Sequence, residues 1–351
     1  MFEYGNDFHN IIIFGPVIGH VVTREQCGNA REGQNVTLSA TFSDVGTQDT
    51  HLVVINWGDA TTSAGTITGS NISGSHVYAT GGVYTITVTI TDDDTGTHSL
   101  TTTAVITGVG VVGNTLYVIG TKGDDHITIN QSGSNFKVHA DFLTTGNFRD
   151  VPIAGVTDIV VIACDGDDKV TISGGISLPA LIDGGNGNDN LNGGNGPNII
   201  LGGAGDDQSN GGSGRDLLIG GTGADRLVGN AGDDLLIAGM TAYDSNYAVL
   251  KILMSEWNSS RSYSQRVYNL SNGTGGGGLD ASTFVSRNNG VYFLIGDDGL
   301  SQTVFNDNDL DKLTGSAGAD WFFANLVADN GGVLDNVTDK AISEYWTDTD
   351  F

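Results

Sequence analysis

The feature that most constrains this chain is a nine-residue repeat that runs from residue 184 to residue 237. Six consecutive nonapeptides read GGNGNDNLN, GGNGPNIIL, GGAGDDQSN, GGSGRDLLI, GGTGADRLV and GNAGDDLLI. Glycine stands at the first and fourth positions of all six, and the array holds 17 of the 54 glycines in a chain of 351 residues. A flexible Gly/Asn linker does not place Leu or Ile at one fixed position, so the period predicts regular structure.

The sixth and eighth positions of the nonapeptide indicate how it folds. The eighth is Leu or Ile in every repeat except the third, where it is Ser209. The sixth carries a carboxylate or an amide, at Asp189, Asn198, Asp207, Asp216, Asp225 and Asp234. Glycine permits backbone geometries that a side chain forbids, so each repeat predicts a turn followed by a short strand. One nonapeptide cannot bury its single apolar residue alone, and the repeats must therefore stack as a solenoid.

The turns of the array offer oxygen ligands without Cys or His. Such hard donors suit Ca²⁺, which takes six to eight oxygens in a flexible shell. Mg²⁺ demands a tighter octahedron, and Zn²⁺ prefers nitrogen or sulfur. We therefore expect several calcium ions to bind to the array.

The array resembles the haemolysin-type, or repeats-in-toxin (RTX), calcium-binding repeat, whose signature is GGxGxDxUx. The resemblance implies a parallel β-roll with two nonapeptides per coil, in which calcium lies between the turns of repeats i and i+2. Sixth-position side chains and backbone carbonyls would hold it. The implied ligands include the fourth-position glycines Gly187, Gly205, Gly214, Gly223 and Gly232.

This arrangement implies a definite pairing of the sixth-position residues. Full carboxylate pairs are expected for 189/207, 207/225 and 216/234, and a weaker site for 198/216, because Asn198 is neutral. Pro197 and Ser209 depart from the repeat pattern and weaken the prediction for the second and third repeats.

Degenerate copies of the repeat flank the array at residues 120–128, 163–171, 306–314 and 315–323. They predict a solenoid that starts near residue 110 with wider coils and closes near residues 306–323. The segment 240–300 would be a helical elaboration on one edge. The sixth-position acids of these copies are candidates both for metal ligation and for a plain turn role: Asp125, Asp168, Asp311 and Asp320.

The segments Ile55–Ala60, His76–Tyr78 and Gly82–Asp92 resemble the polycystic kidney disease (PKD) repeat. The resemblance implies an immunoglobulin-like β-sandwich over residues 31–107, with Trp57 and Tyr84 in its core. Its acidic residues are Glu32, Asp44 and the run 92–94. For these, solvated turns are favoured over a second class of calcium site.

The predicted fold is all-β: an Ig-like sandwich, a parallel β-solenoid and a small helical insertion. The helices are expected at 244–257, where apolar residues recur at three- and four-residue spacing, and more weakly at 263–270. The domains predicted are an N-terminal strand or arm at 1–30, the sandwich at 31–107, the solenoid at 108–238, the insertion at 239–300 and a β-rich cap at 301–351.

The two cysteines and the first apolar stretch leave alternatives open. Cys27 and Cys164 can pair, but buried free thiols are favoured, since two cysteines define no disulfide framework. Residues 11–22 fail as a secretory signal, because Gly, Pro and His interrupt them and no basic residue precedes them. This stretch predicts a strand that either completes the local sandwich or adds to the sheet of an identical subunit.

Charge excludes some functions. With 41 acidic and 14 basic residues the formal net charge is −27 and the pI is about 4.1, which argues against nucleic acid and anionic membranes as partners. No window is apolar enough for a membrane span. All seven histidines precede residue 140, and neither HExxH nor G-x-S-x-G occurs, so we expect no enzyme.

The favoured function is that of an extracellular calcium-binding structural protein whose roll folds and stiffens as calcium binds. One alternative is a subunit of a surface layer or filament, joined through the N-terminal strand. The other is a cell-surface adhesin that uses exposed aromatic residues of the insertion, namely Tyr243, Tyr247, Trp257, Tyr263 and Tyr268.

Overall fold

The computed structural model describes residues 12–14, 27, 30–44, 50–93, 96–144, 146–271, 287–296, 302–326, 333–339 and 345–348. Within them the chain forms a β-sandwich, a parallel β-roll and two short helices, which confirms the predicted fold class. The domain boundaries drawn from the sequence stay predictions.

The sandwich consists of two antiparallel sheets, ordered β1-β2-β6-β5 and β4-β3-β7-β8. Its strands are β1 Ile12–Phe14, β2 Asn35–Ser43, β3 His51–Asn56, β4 Thr62–Ala64, β5 Thr66–Thr68, β6 Asn71–Val77, β7 Gly82–Asp92 and β8 Thr97–Ile106. Trp57 and Tyr84 are buried in the core between the sheets, as predicted. Strand β1 pairs with residues 41–43 of its own chain, and residues 11 and 15–22 of the predicted N-terminal strand lie outside the described residues.

The roll consists of two sheets, which we name the covered sheet and the bare sheet. The covered sheet contains β9 Gly108–Val112, β10 Thr115–Ile119, β14 Asp158–Asp165, β16 Ala180–Asn186, β18 Asn198–Ala204, β20 Leu217–Thr222, β22 Leu235–Ile237, β26 Trp321–Ala324 and β28 Tyr345–Asp348. The bare sheet contains β11 His126–Ser132, β12 Asn135–Ala140, β13 Phe148–Pro152, β15 Lys169–Ile172, β17 Asn190–Asn192, β19 Gln208–Gly212, β21 Arg226–Ala231, β25 Lys312–Ala317 and β27 Asn336–Val337.

Coil length follows the predicted scheme. Within the array, equivalent residues of successive coils lie 18 residues apart, which is two nonapeptides. The spacing is 43 and then 21 residues at the start, 86 across the insertion and 24 in the last coil. The roll therefore begins with wider coils, as expected, and continues one coil beyond residue 323.

Eighth-position side chains fill the interior of the roll. Leu191, Leu218 and Leu236 are fully buried between the two sheets. Ser209 is also fully buried, and its Oγ has no hydrogen-bond partner. The departure at Ser209 thus leaves the coil intact but places an unsatisfied hydroxyl in an apolar core.

Two helices pack against the outer face of the covered sheet. Helix α1 is Tyr247–Trp257 and helix α2 is Tyr263–Leu270, the second matching its predicted range. Strand β23 Met240–Thr241, at the start of the insertion, pairs antiparallel with β24 Val304–Phe305, which follows it. Trp257 is fully buried, and Tyr243, Tyr247 and Tyr263 are partly buried against the same core, so the expectation that these aromatic residues are exposed is wrong. Neither helix is long and apolar enough to cross a membrane.

The sandwich and the roll are joined by covalent and ionic contacts. Cys27 and Cys164 form a disulfide with a Cα–Cα distance of 5.8 Å, so the expectation of free thiols is wrong. The fold brings together residues 137 positions apart, a proximity that sequence spacing does not show. Beside the junction, Arg149 donates two hydrogen bonds to the carboxylate of Glu32, at 2.7 and 2.6 Å.

Candidate calcium-binding edges

The sixth-position residues gather along two edges of the roll. Turns that lead from the covered sheet to the bare sheet form the first edge; its residues are Asp125, Asp168, Asp189, Asp207, Asp225, Asp311 and Asp335. Turns that lead back form the second edge; its residues are Asn198, Asp216, Asp234 and Asp320. The stacking inferred from two repeats per coil is thus present, while metal binding by these residues stays a prediction.

A hydrogen-bond ladder aligns the side chains on each edge. The backbone N–H of Asp189 donates to Oδ1 of Asp207 at 2.7 Å, and that of Asp207 donates to Oδ1 of Asp225 at 2.8 Å. On the second edge, Asp216 donates in the same way to Asp234 at 2.9 Å. Each rung fixes one oxygen of a carboxylate and leaves the other directed into the turn.

The second oxygen of most of these carboxylates has no hydrogen-bond partner. It is the Oδ2 atom of Asp168, Asp189, Asp216, Asp225, Asp234 and Asp311, in side chains whose residues are at most 2% exposed. A buried charge costs several kcal/mol unless it is paired. These carboxylates are therefore stable in the fold only with a bound cation or a proton.

The pKa values of these six carboxyl groups also indicate that the charged form is unfavourable without a cation. Burial raises the pKa of every one of the six carboxyl groups, and neighbouring acids add to the rise in all but Asp216. The pKa reaches about 7 for Asp189 and Asp216, about 8 for Asp168 and Asp225, and about 9 for Asp234 and Asp311. Without a cation, these groups hold protons near neutral pH.

Glycine at the first position makes room for the oxygens. A Cβ on Gly184 would lie 2.2 Å from Oδ2 of Asp189 and 2.6 Å from the carbonyl oxygen of Gly202. On the second edge, a Cβ on Gly211 would lie 2.4 Å from Oδ2 of Asp216. On both edges, therefore, a carboxylate oxygen and a carbonyl oxygen of the next coil face the space that a side chain would fill.

Fourth-position glycines are needed for a different reason. Gly187, Gly205, Gly223 and Gly232 have φ between +116° and +134°, which L side chains rarely adopt. At Gly205 a Cβ would also lie 2.3 Å from the carbonyl oxygen of Gly187. Gly214 has no such φ, but its Cβ would lie 2.3 Å from the carbonyl oxygen of Gly196.

The donor set fits calcium. The donors are buried carboxylate oxygens and backbone carbonyls, all hard oxygens. Among the described residues no three side chains of His, Cys, Asp or Glu gather at one point, so a metal here would take part of its shell from the backbone. The residues that would hold it are the sixth-position acids with an unpartnered Oδ2 and the glycine carbonyls beside them.

The ends of the first edge differ from its middle. Both oxygens of Asp125 accept hydrogen bonds from Thr121, at 2.6 and 3.0 Å. Both oxygens of Asp335 are also used, by the backbone N–H groups of Asp311 and Asn325. These contacts favour a turn role for Asp125 and a capping role for Asp335, whereas Asp168 and Asp311 share the geometry of the array.

Asn198 fills its own turn. Its Nδ2 donates to the carbonyl oxygens of Gly196 and Gly211 at 2.7 and 2.9 Å, and to Oδ1 of Asp216 at 2.9 Å. The amide thus satisfies oxygens that a cation would otherwise contact, and the weaker site at 198/216 stays a prediction.

The insertion reaches the second edge. Trp257 Nε1 donates to the carbonyl oxygen of Asp233 at 2.7 Å, and Tyr263 donates to that of Asp320 at 2.5 Å. Arg266 forms an ion pair with the Asp233 carboxylate. Although burial raises it, hydrogen bonds from Ala319 and Arg266 hold the pKa of Asp233 below its ordinary value.

Two acidic residues of the sandwich have protein partners. Glu32 pairs with Arg149, and Asp44 lies 3.0 Å from Nε2 of His51. Asp92 is buried, and Asp94 lies outside the described residues. These contacts favour structural roles over a second calcium site.

Sequence reasoning missed Asp335. Its turn lacks the fourth-position glycine, so the nonapeptide signature does not detect it. A shorter signal does: Asp, any residue, an apolar residue and Thr recur at 125–128, 168–171, 311–314 and 335–338.

Fold and site together define a parallel β-roll whose turns are built for a hard cation. Comparison with protein families agrees: residues 183–218 and 210–240 match the RTX calcium-binding nonapeptide repeat (4 copies), and residues 21–108 match the PKD domain. The chain therefore carries a PKD domain followed by RTX repeats, which are non-catalytic modules typical of extracellular proteins. No curated protein and no solved structure matched the chain.

Proposed function

We propose that this chain is an extracellular structural protein whose β-roll folds and stiffens when several calcium ions bind to the two edges. The observation that carries the proposal is the line of buried Oδ2 atoms without a partner on successive coils. No residue set in the described part of the chain suggests catalysis, and the proposal includes none.

Folding is coupled to calcium because the turns are acidic. Without a cation, neighbouring carboxylates of one edge repel each other or take up protons. Millimolar calcium, as found outside cells, is in the range that extracellular modules bind. Since an unfolded array has no preformed site, the free energy of binding becomes free energy of folding.

The disulfide supports an extracellular location. Disulfides persist in oxidising compartments and are rare in the cytosol. The bond between Cys27 and Cys164 anchors the first coils of the roll close to the sandwich.

The test is a calcium titration of the chelated full chain, followed by far-UV circular dichroism and by a count of bound ions. We expect β-sheet signal and ion binding to rise together, with magnesium at equal concentration as the control cation. Identical spectra in chelator and in millimolar calcium, or an equal response to magnesium, would contradict the proposal.

A further inference from the structure

The outer face of the bare sheet carries two straight rows of side chains. The first row holds Lys169, Asn190, Gln208, Arg226, Lys312 and Asn336, each paired in parallel register with the next. The second row lies two residues further along each strand and holds Thr171, Asn192, Asn210, Val228 and Thr314. At about 4.8 Å between strands, the first row spans roughly 24 Å.

The first row is accessible and positively charged. Five of its six residues are exposed. Neither row contains an acid, although the chain has 41 acidic and only 14 basic residues. Arg226 and Lys312 stand directly opposite each other on adjacent strands, an arrangement that is unfavourable without a counter-charge. Among the ion pairs of the described residues none involves Lys169, Arg226 or Lys312.

Between the cations lies an ordered set of amides. Asn192 donates to Oδ1 of Asn190 at 2.7 Å, and Asn210 donates to Oδ1 of Asn192 at 3.0 Å. These amides are fixed in one orientation and keep further donors and acceptors for a ligand with hydroxyl groups.

An aromatic ring stands at the start of the second row. The row continues from Thr171 through Thr128 and His139 to Phe148. Phe148 is 54% exposed, and its ring centroid lies 4.8 Å from that of His139. An exposed ring beside polar groups offers a stacking surface for the C–H face of a sugar.

We propose that the outer face of the bare sheet binds an extended polysaccharide that bears widely spaced carboxylates. Nucleic acid fits less well, since a duplex carries one charge per about 1.7 Å and the first row offers three cations over roughly 24 Å. A small ligand would need a concave pocket, whereas this face is open. Hydroxyl groups match the amide and threonine side chains, and sparse carboxylates match Lys169, Arg226 and Lys312.

The first edge sets a condition for binding. Asp124, Asp167 and Asp206 are exposed in the turns that precede the rows, and their carboxylates repel a polyanion in calcium-free protein. Calcium bound in the same turns offsets this negative charge and folds the sheet that carries the rows. Binding is therefore expected only with calcium, and this condition rests on the proposed function.

The experiment measures binding of the full chain to labelled hyaluronan, a uronate polymer, in calcium and in chelator. The double variant Arg226→Ala/Lys312→Ala should bind at least tenfold more weakly than the parent chain. The control Lys122→Ala/Lys251→Ala, which removes equal charge outside the rows, should bind like the parent. Binding should also fall as salt rises.

Circular dichroism on the same samples separates the two proposals. A roll that does not fold in calcium contradicts the proposed function. A folded roll that ignores hyaluronan, binds neutral dextran or an oligonucleotide equally well, or loses the same affinity in both double variants overturns the polysaccharide site.

Discussion

The two edges of the roll use the same nine-residue turn in different surroundings. On the first edge the fifth-position residues Asp167, Asn188 and Asp206 are exposed to solvent. On the second edge Arg215 and Asp233 are half-buried beneath the helical insertion. The same turn, which its own glycines and acid specify, can therefore stay open to solvent on one edge and accept hydrogen bonds from another part of the chain on the other.

The edges also differ in how many carboxylates lack a partner. Four acids of the first edge have an unpartnered Oδ2, namely Asp168, Asp189, Asp225 and Asp311. On the second edge these are Asp216 and Asp234, and Asn198 fills its turn with its own amide. The first edge is therefore expected to contribute more calcium-dependent stability.

The largest expected effect separates the edges by charge removal. Asp189→Asn/Asp225→Asn on the first edge should abolish sites that each stabilise the fold by about 2.7 kcal/mol when calcium is at 100 times its Kd. The matched pair Asp216→Asn/Asp234→Asn on the second edge should lose less, because fewer turns there depend on calcium. Thermal unfolding with and without calcium measures both.

In chelator the sign of that effect should reverse. Because the array is not folded in chelator near neutral pH, neither pair should lower the melting temperature of the chelated protein. Any change should be a rise, because neutral amides remove the repulsion between carboxylates. Equal losses in calcium for the two pairs would show that the edges do not differ.

A second large effect is the pH dependence of the chelated protein. The buried acids have pKa values of about 7 to 9 in the fold and near 4 when unfolded. The folded state thus binds more protons between these values, so in chelator protonation stabilises the roll at low pH. This stability falls as pH rises from about 4 to about 7–9 and levels off above. Melting curves in chelator between pH 5 and pH 9 check this, and a melting temperature that rises with pH would count against it.

Bound calcium should remove much of this dependence of stability on pH. The ion displaces the protons, so binding near pH 7 is expected to release protons and to tighten as pH rises. Calorimetric titrations in buffers of different ionisation enthalpy count the protons released.

A smaller effect tests the cover over the second edge. Trp257→Phe keeps an aromatic ring but removes the hydrogen bond to the Asp233 carbonyl, at a cost of about 1–3 kcal/mol. Calcium release into a fluorescent chelator should be biphasic, with a fast phase from the open first edge. The variant should accelerate the slow phase alone. A single phase in the parent chain would contradict the contrast between the edges.

The sequence reveals the periodic part of the molecule and little of what covers it. The nine-residue period predicts the stacking of Asp189 with Asp207 and the burial of Leu191, because a turn and one apolar residue per repeat have few ways to pack. The range of α2 follows from its helical pattern. Such features depend on local sequence alone.

Contacts between distant segments escape sequence reasoning. Neither the disulfide of Cys27 nor the ion pair of Glu32 with Arg149 has a local signal, since both partners become neighbours only when the sandwich meets the roll. The same holds for Trp257 at the second edge. The turn at Asp335 lacks the fourth-position glycine and so escapes the repeat signature, although the backbone N–H of Asp311 donates to Asp335 as in the other rungs of the first edge.

The smallest effect concerns a single side chain on the second edge. Asn198→Asp replaces the amide that donates to Gly196 and Gly211 with a carboxylate that cannot donate. In calcium we expect one additional bound ion. An unchanged ion count would show that the amide does not stand in for a cation.

Hydrogen exchange of the full chain, measured peptide by peptide in chelator and in calcium, tests the central claim most directly. We predict that amides of residues 184–237 exchange rapidly in chelator and slowly in calcium, while strand β7 of the sandwich exchanges slowly in both. Equal protection of the array in chelator and in calcium would contradict a roll that calcium folds.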